Sequence, residues 1–242
     1  MNIISPTAFS ELVFSGGGRS RALTVVRRST ARGMRLTVDP RDATVRLTLG
    51  TRAPLRPALS WAAGKRGWVE AELARLPHPN PVVPGMVFQL GDEEVRLEWA
   101  AEKSRRVTLG DGILHVGGPR DQLTNRVTRF LRAHARTVLE AETRALAERH
   151  GITVGQVGVG DTRSRWGSCA ASGDIRYSWR LILAPPFVRR STVAHEVAHR
   201  IHMNHSAAFH ALAAKLYDGD PNLARTWLRA KGSSLHWFGR EG

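Results

Sequence analysis

The residues best suited to chemistry lie in one run, Thr192-Val-Ala-His-Glu-Val-Ala-His-Arg-Ile-His-Met-Asn-His205. Within it His195-Glu196-x-x-His199 is followed by His205. On a helix, His195 and His199 stand four residues apart, so both imidazoles leave one face about one turn apart. That spacing lets two rings grip one tetrahedral cation such as Zn²⁺. Glu196 lies about 100° further round the helix. There it is close to the cation without being a ligand, and it can take a proton from a water held at the metal.

A third ligand is needed, and His202, His205 and His210 are the candidates. On a continuing helix His202 would sit about 10.5 Å along the axis from His195, too far in line to close a tetrahedron. Met203-Asn204 can end the helix, since Asn tolerates a left-handed cap. His205 could then swing back, with Ser206 as N-cap of the next helix from Ala207. His205 is therefore favoured, with His210 and His202 left open. An HExxH match can arise by chance. Here, however, five of the ten histidines fall between 195 and 210, and Val193, Ala194, Val197, Ala198 and Ile201 supply the apolar side of a half-buried helix. Burying so many polar groups for packing alone would be costly.

The elements that must position this run are legible in outline. The chain has 242 residues, enough for one large or two small domains, with 42% hydrophobic content. Leu23–Arg28, Arg35–Asp39 and residues 43–49 have β character. In the last, Val45, Leu47 and Leu49 alternate with Arg46 and Thr48, giving a small antiparallel sheet with one wet face. Ser15-Gly16-Gly17-Gly18 marks a flexible stretch within a loosely ordered 1–20. A helix follows over 56–76 and ends at a proline-rich connection, 77–84. Four short strands are expected over 86–90, 94–99, 106–109 and 113–116, ending near Pro119. Residues 121–150 have the longest helical pattern, with Arg126, Arg129, Arg132, Arg136, Arg144 and Arg149 on its polar face. Those arginines form either a solvated face paired with Glu140, Glu142 and Glu148 or a phosphate-binding ridge. Strands over 152–159 and 173–183 precede the histidine helix, expected from Phe187 to about Met203. Helices over 207–217 and 222–231 close the chain, and no internal repeat stands out. The reading is α+β: a β-rich region over 1–120 with one helix, then a metal-dependent hydrolase domain over 121–242.

Charge and composition bound the partners. Net charge is +15, from 36 basic and 21 acidic residues. That favours polyanions such as nucleic acid or nucleotides, although scarce lysine and abundant arginine also suit a GC-rich coding bias. The lone Cys169 excludes an internal disulfide framework. It reads as a small residue in a tight turn rather than as a nucleophile. No signal peptide or transmembrane run stands out, so a cytoplasmic location without a membrane partner is expected. Oligomeric state is not readable.

The chain resembles the YgjP-like zinc metallopeptidases, relatives of the SprT-like proteases. The motifs are Ser164-Arg-Trp-Gly-Ser-Cys169, Ile175-x-x-Ser-Trp-Arg-Leu-Ile182 and His195-Glu-Val-Ala-His-x5-His205-Ser-x-x-Phe209, with a weaker match at Arg32-Gly-Met-Arg-Leu-Thr-Val. The resemblance implies a zincin-like (minigluzincin or SprT-like) C-terminal domain, one Zn²⁺ per chain on His195, His199 and His205, and Glu196 as general base. Two positions depart from the family pattern: His210 stands for a usual tryptophan, and Ser178 for a commoner asparagine. A metzincin assignment fails because His202 occupies the glycine position and no methionine follows Met203.

The expected activity is peptide-bond hydrolysis on a peptide or protein substrate. Arg163, Arg165 and Arg180 are candidates to hold an oxyanion or a substrate carboxylate; Trp166, Trp179 and His210 are candidates to line the site. Arg165-Trp166 and Trp179-Arg180 could equally pack beneath the helix. A free edge on the 175–183 strand could pair with an extended peptide. The alternatives are hydrolysis of nucleotide phosphoanhydrides, suited to an arginine-rimmed site, and a DNA-associated protease or nucleic-acid-binding protein.

Overall fold

The computed structural model describes residues 12–240. It divides into two compact units between Pro79 and Asn80, not near 120 as the strand and helix pattern suggested.

In the first unit, β1 (Val13–Gly16) and β2 (Arg19–Arg28) form a hairpin. The glycine stretch expected to be flexible is its turn: Gly17 and Gly18 both have positive φ, 59° and 73°, the conformation a two-residue hairpin turn requires. Residues 1–11 of the expected loose stretch lie outside the described residues. β3 (Arg35–Val38) and β4 (Val45–Gly50) complete a sheet of order β1-β2-β4-β3. The sheet is mixed rather than antiparallel, because β2 and β4 run parallel at its centre. Leu47 and Leu49 bury against Ala58 and Ala62 of α1 (Leu55–Ala63), while Val69 and Leu73 of α2 (Arg66–Ala74) are also fully buried. The single helix expected over 56–76 is thus two, divided at Gly64, the residue type that weakens a helix interior.

The second unit opens with β5 (Val87–Leu90), β6 (Glu93–Ala100), β7 (Thr108–Gly110) and β8 (Ile113–Gly117). Their order is β5-β6-β8-β7, again with a parallel central pair between two antiparallel ones. The two sheets therefore repeat one topology that the sequence does not reveal. Phe88, Val95, Leu97, Leu114 and Val116 share one core with α3 (Leu123–Arg149) and with Tyr177, Val193, Val197 and Phe209. That common core is why the boundary falls before the second sheet and not after it. On α3, Arg144 pairs with Glu140 and Arg132 with Asp161, whereas Glu142 pairs across to Arg189.

A small sheet, β10-β11-β9, carries the functional region: β9 (Val157–Gly160), β10 (Gly167–Cys169) and β11 (Ile175–Ser178). β11 is shorter than the 173–183 strand expected. Residues Trp179–Leu183 form a 3₁₀ turn that buries all five side chains. β11 is also central, paired antiparallel to β10 and parallel to β9, so it offers no free edge. Pro186 then starts α4 (Pro186–Ala198) at the position where a missing N–H is harmless. α5 (Ala207–Tyr217) is capped by Ser206, whose hydroxyl accepts from Phe209 N at 3.3 Å. α6 (Pro221–Lys231) is capped by Asp220. No described helix is long and apolar enough to cross a membrane.

Thr143 ties α3 to β11. Its hydroxyl donates to the Leu139 carbonyl at 2.6 Å, so the buried Tyr177 hydroxyl must donate to it, at 3.0 Å. By contrast, Ser178 Oγ is buried with no hydrogen-bond partner among the described residues. Tyr177→Phe should therefore lower stability in urea unfolding by about 1 kcal/mol. Ser178→Ala should change it little, and a loss above about 2 kcal/mol would show that this hydroxyl is satisfied after all.

Candidate metal centre

The polar centre of the site is set by where α4 stops. The helix expected to reach Met203 ends at Ala198, with His199 as its C-cap. Beyond it the backbone tightens: Arg200 N donates to Val197 O at 3.0 Å and Ile201 N to Ala198 O at 3.1 Å. His202 contributes its backbone and not its ring. The His202 carbonyl lies 3.0 Å from His199 Nδ1. A carbonyl can only accept, so Nδ1 carries a proton, and in the neutral ring the lone pair then lies on Nε2.

The turn over 199–206 returns His205 to the other two. Ligand nitrogens of His195, His199 and His205 all lie within 4.8 Å of one another, and the Nε2 atoms of His195 and His205 are 3.2 Å apart. Phe209 underlies all three rings. Its ring is fully buried, stacked on His199 at 4.5 Å between centroids and edge-on to His195 at 4.9 Å and His205 at 4.8 Å. Burial, then the neighbouring His199 and His205, pushes His195 down to about 4. His205 is lowered as well, by desolvation and then by His199 and His210. Neutral imidazoles are what a cation requires, so this donor set fits Zn²⁺ or a related divalent ion. His210 stands 6.2 Å from His205 between centroids and is not part of the cluster.

Glu196 is 4% exposed, and burial raises its carboxyl to about 7, opposed by Arg165. Gly167 on β10 packs directly against it. A methyl at that position would come within 2.7 Å of Glu196 Cγ and 2.8 Å of Cδ. A cavity of about 590 Å³ opens beside the carboxylate, bounded by Arg165, Trp166, His210, Arg225 and Leu228 among others.

Of the other anticipated residues, Arg165, Trp166 and His210 line this cavity; Arg163 is exposed and does not. Trp179 and Arg180 do not line it either. The 3₁₀ turn points them inward, where the Arg180 guanidinium lies 4.6 Å over the Trp179 ring, pairs with Asp161, and donates to the Leu235 carbonyl. Cys169 is half-buried in β10, and burial raises its thiol above the usual range, against the pull of Arg200. Three neighbours of the site escaped the sequence reading. Phe209 and Gly167 lay inside quoted motifs without a role, and Arg225 carried no signal beyond its place on a helix.

Three imidazoles converge beside a buried carboxyl, a grouping that could hold a metal ion. The family model described as YgjP-like, metallopeptidase domain, matches residues 32–231. The chain belongs to this family, and metallopeptidase is the activity class it carries. No curated protein and no solved structure matches the chain.

Purified protein should contain zinc by elemental analysis. His199→Ala should lose it, whereas His202→Ala should keep it, because only the backbone of His202 is engaged. Phe209→Leu should weaken zinc affinity about 10- to 100-fold, measured against a chromophoric chelator, by freeing the rings it holds.

Proposed function

We infer that the chain is a zinc-dependent peptidase in which His195, His199 and His205 hold the metal and Glu196 is the general base. The observation that carries this reading is the convergence of three imidazole nitrogens beside a buried carboxyl. When bound there, Zn²⁺ would supply Lewis acidity toward the scissile carbonyl and make water easier to deprotonate. Glu196 takes the proton from the attacking water and returns it to the departing amide nitrogen. A carboxyl near neutrality suits both halves of that exchange. Its burial keeps bulk water from competing for the proton.

The edge available to an extended substrate is on β10 rather than β11. β10 is an outer strand, and no described strand pairs with its far side. A peptide hydrogen-bonded there would run past Gly167 and Glu196, with one side chain entering the cavity walled by Trp166 and Leu228. Arg165 and Arg225 give that cavity a cationic rim.

The test is zinc-loaded protein incubated with a peptide library and, separately, with nucleoside triphosphates. Peptide cleavage should fall about 10²- to 10⁴-fold in Glu196→Gln. Gly167→Ala should retain zinc yet lose up to about 100-fold in kcat, because the new methyl displaces the carboxyl. Glu196-dependent phosphate release with peptides untouched would replace the peptidase reading with phosphoanhydride hydrolysis.

A further inference from the structure

The first unit is richer in positive charge than its size requires. Residues 1–79 hold 13 Lys or Arg against 5 Asp or Glu, a net charge of +8. Several of these arginines have structural work. Arg27 donates to the carbonyls of Gly50, Thr51 and Ala53; Arg66 bonds Val13 O and Glu70; Arg75 pairs with Glu72. Four others, Arg28, Arg32, Arg35 and Arg46, form no ion pair among the described residues, and all four line one concavity of about 650 Å³.

Strand register explains the gathering. Leu23, Val25 and Arg27 share a face with Val45, Leu47 and Leu49, the face that packs on the helices. Alternation sends Arg28, Arg46, Thr48, Arg35 and Thr37 to the other face. There Arg35 opposes Thr48, and Thr37 opposes Arg46, so the two arginines are diagonal neighbours about 7–8 Å apart. The β2–β3 loop adds Arg32. The one acid in the lining among the described residues, Asp39, is engaged by Arg41 through Nε at 2.8 Å and a terminal nitrogen at 2.7 Å. It therefore does little to offset the other four.

We propose that this face binds the phosphodiester backbone of nucleic acid, without sequence preference. Guanidinium groups fork onto phosphate oxygens, and Thr30 and Thr48 add hydroxyl donors between them, while the Thr37 hydroxyl donates to the Arg46 carbonyl at 3.4 Å. Among the described residues no aromatic lines the concavity, so bases find no stacking platform there, and contact is with phosphate. A hollow admits a strand but does not lie flush on a flat bilayer, and Met34 and Val38 are its only sizeable apolar side chains among the described residues. Arginines spread over β2, β3, β4 and a loop reach across more than one phosphate. This inference concerns the first unit and holds or fails independently of the peptidase reading.

Fluorescence anisotropy of the full chain with labelled single-stranded and duplex oligonucleotides, titrated with salt, tests it. Four neutralised phosphates give a log–log salt slope of about −2.8 (single strand) to −3.6 (duplex), so affinity should fall roughly 50- to 150-fold between about 50 and 200 mM salt. Arg35→Thr with Arg46→Thr should reduce the slope by about 2 and weaken binding at least about 10-fold. Arg129→Gln with Arg136→Gln removes the same charge from α3 and should leave both nearly unchanged. In wild-type protein, bound nucleic acid should slow amide exchange across residues 28–48, a readout that does not depend on how the variants fold. Equal losses in the two double variants, no protection of 28–48, or tighter binding to phosphatidylserine vesicles or polyglutamate than to nucleic acid would each overturn the proposal.

Discussion

The bond between His199 Nδ1 and the His202 carbonyl is the contact on which the centre depends. It closes the end of α4 one residue past Ala198, fixes the tautomer that leaves Nε2 free, and bends the chain so that His205 can return. Were the helix to continue, the third imidazole would be carried up the axis and round the cylinder, away from the first two. The ligand spacing in sequence is thus useful only because the helix stops where it does. A backbone carbonyl that would otherwise be an orphan at a helix end has become part of the site.

What surrounds that turn gives it its chemistry. The core shared by the second sheet, α3 and α4 buries Val193, Ala194, Val197 and Ala198, and with them the root of Glu196. The same burial that packs the helix raises the Glu196 carboxyl and lowers His195. Phe209, anchored by the Ser206 cap at the start of α5, presses on all three rings. Packing, protonation and ligand geometry are therefore one arrangement. A change made to any of them reaches the others through a single side chain.

The parts governed by local pattern were readable from the sequence. Period-two alternation at Val45, Leu47 and Leu49, the i,i+4 histidines, and Ser206 as a cap all depend on residues within a few positions of one another. The parts that depend on distant pairing were not. Nothing local states that β2 pairs parallel with β4, or that the second sheet joins the core of α3, so neither the division before Asn80 nor the repeated topology is legible in the sequence. Trp179 and Arg180 lay in an apparent strand, and the 3₁₀ turn that buries them is a tertiary outcome. Nothing local to Gly167 signals that the Glu196 side chain packs against it. That the histidine helix stops short of the expected Met203 is not legible either, because propensity does not register a side chain that bonds to a carbonyl three residues on.

The outer side of β10 has a consequence for solubility. An unpaired strand edge is a template for any other unpaired edge, and long flat ones invite aggregation. β10 spans only Gly167–Cys169, and its glycine adds no side chain to grip a neighbour. An edge so brief holds a passing chain by very few backbone bonds. Prolonged contact there needs side-chain recognition as well, so this shortness discourages stacking of one copy on the next.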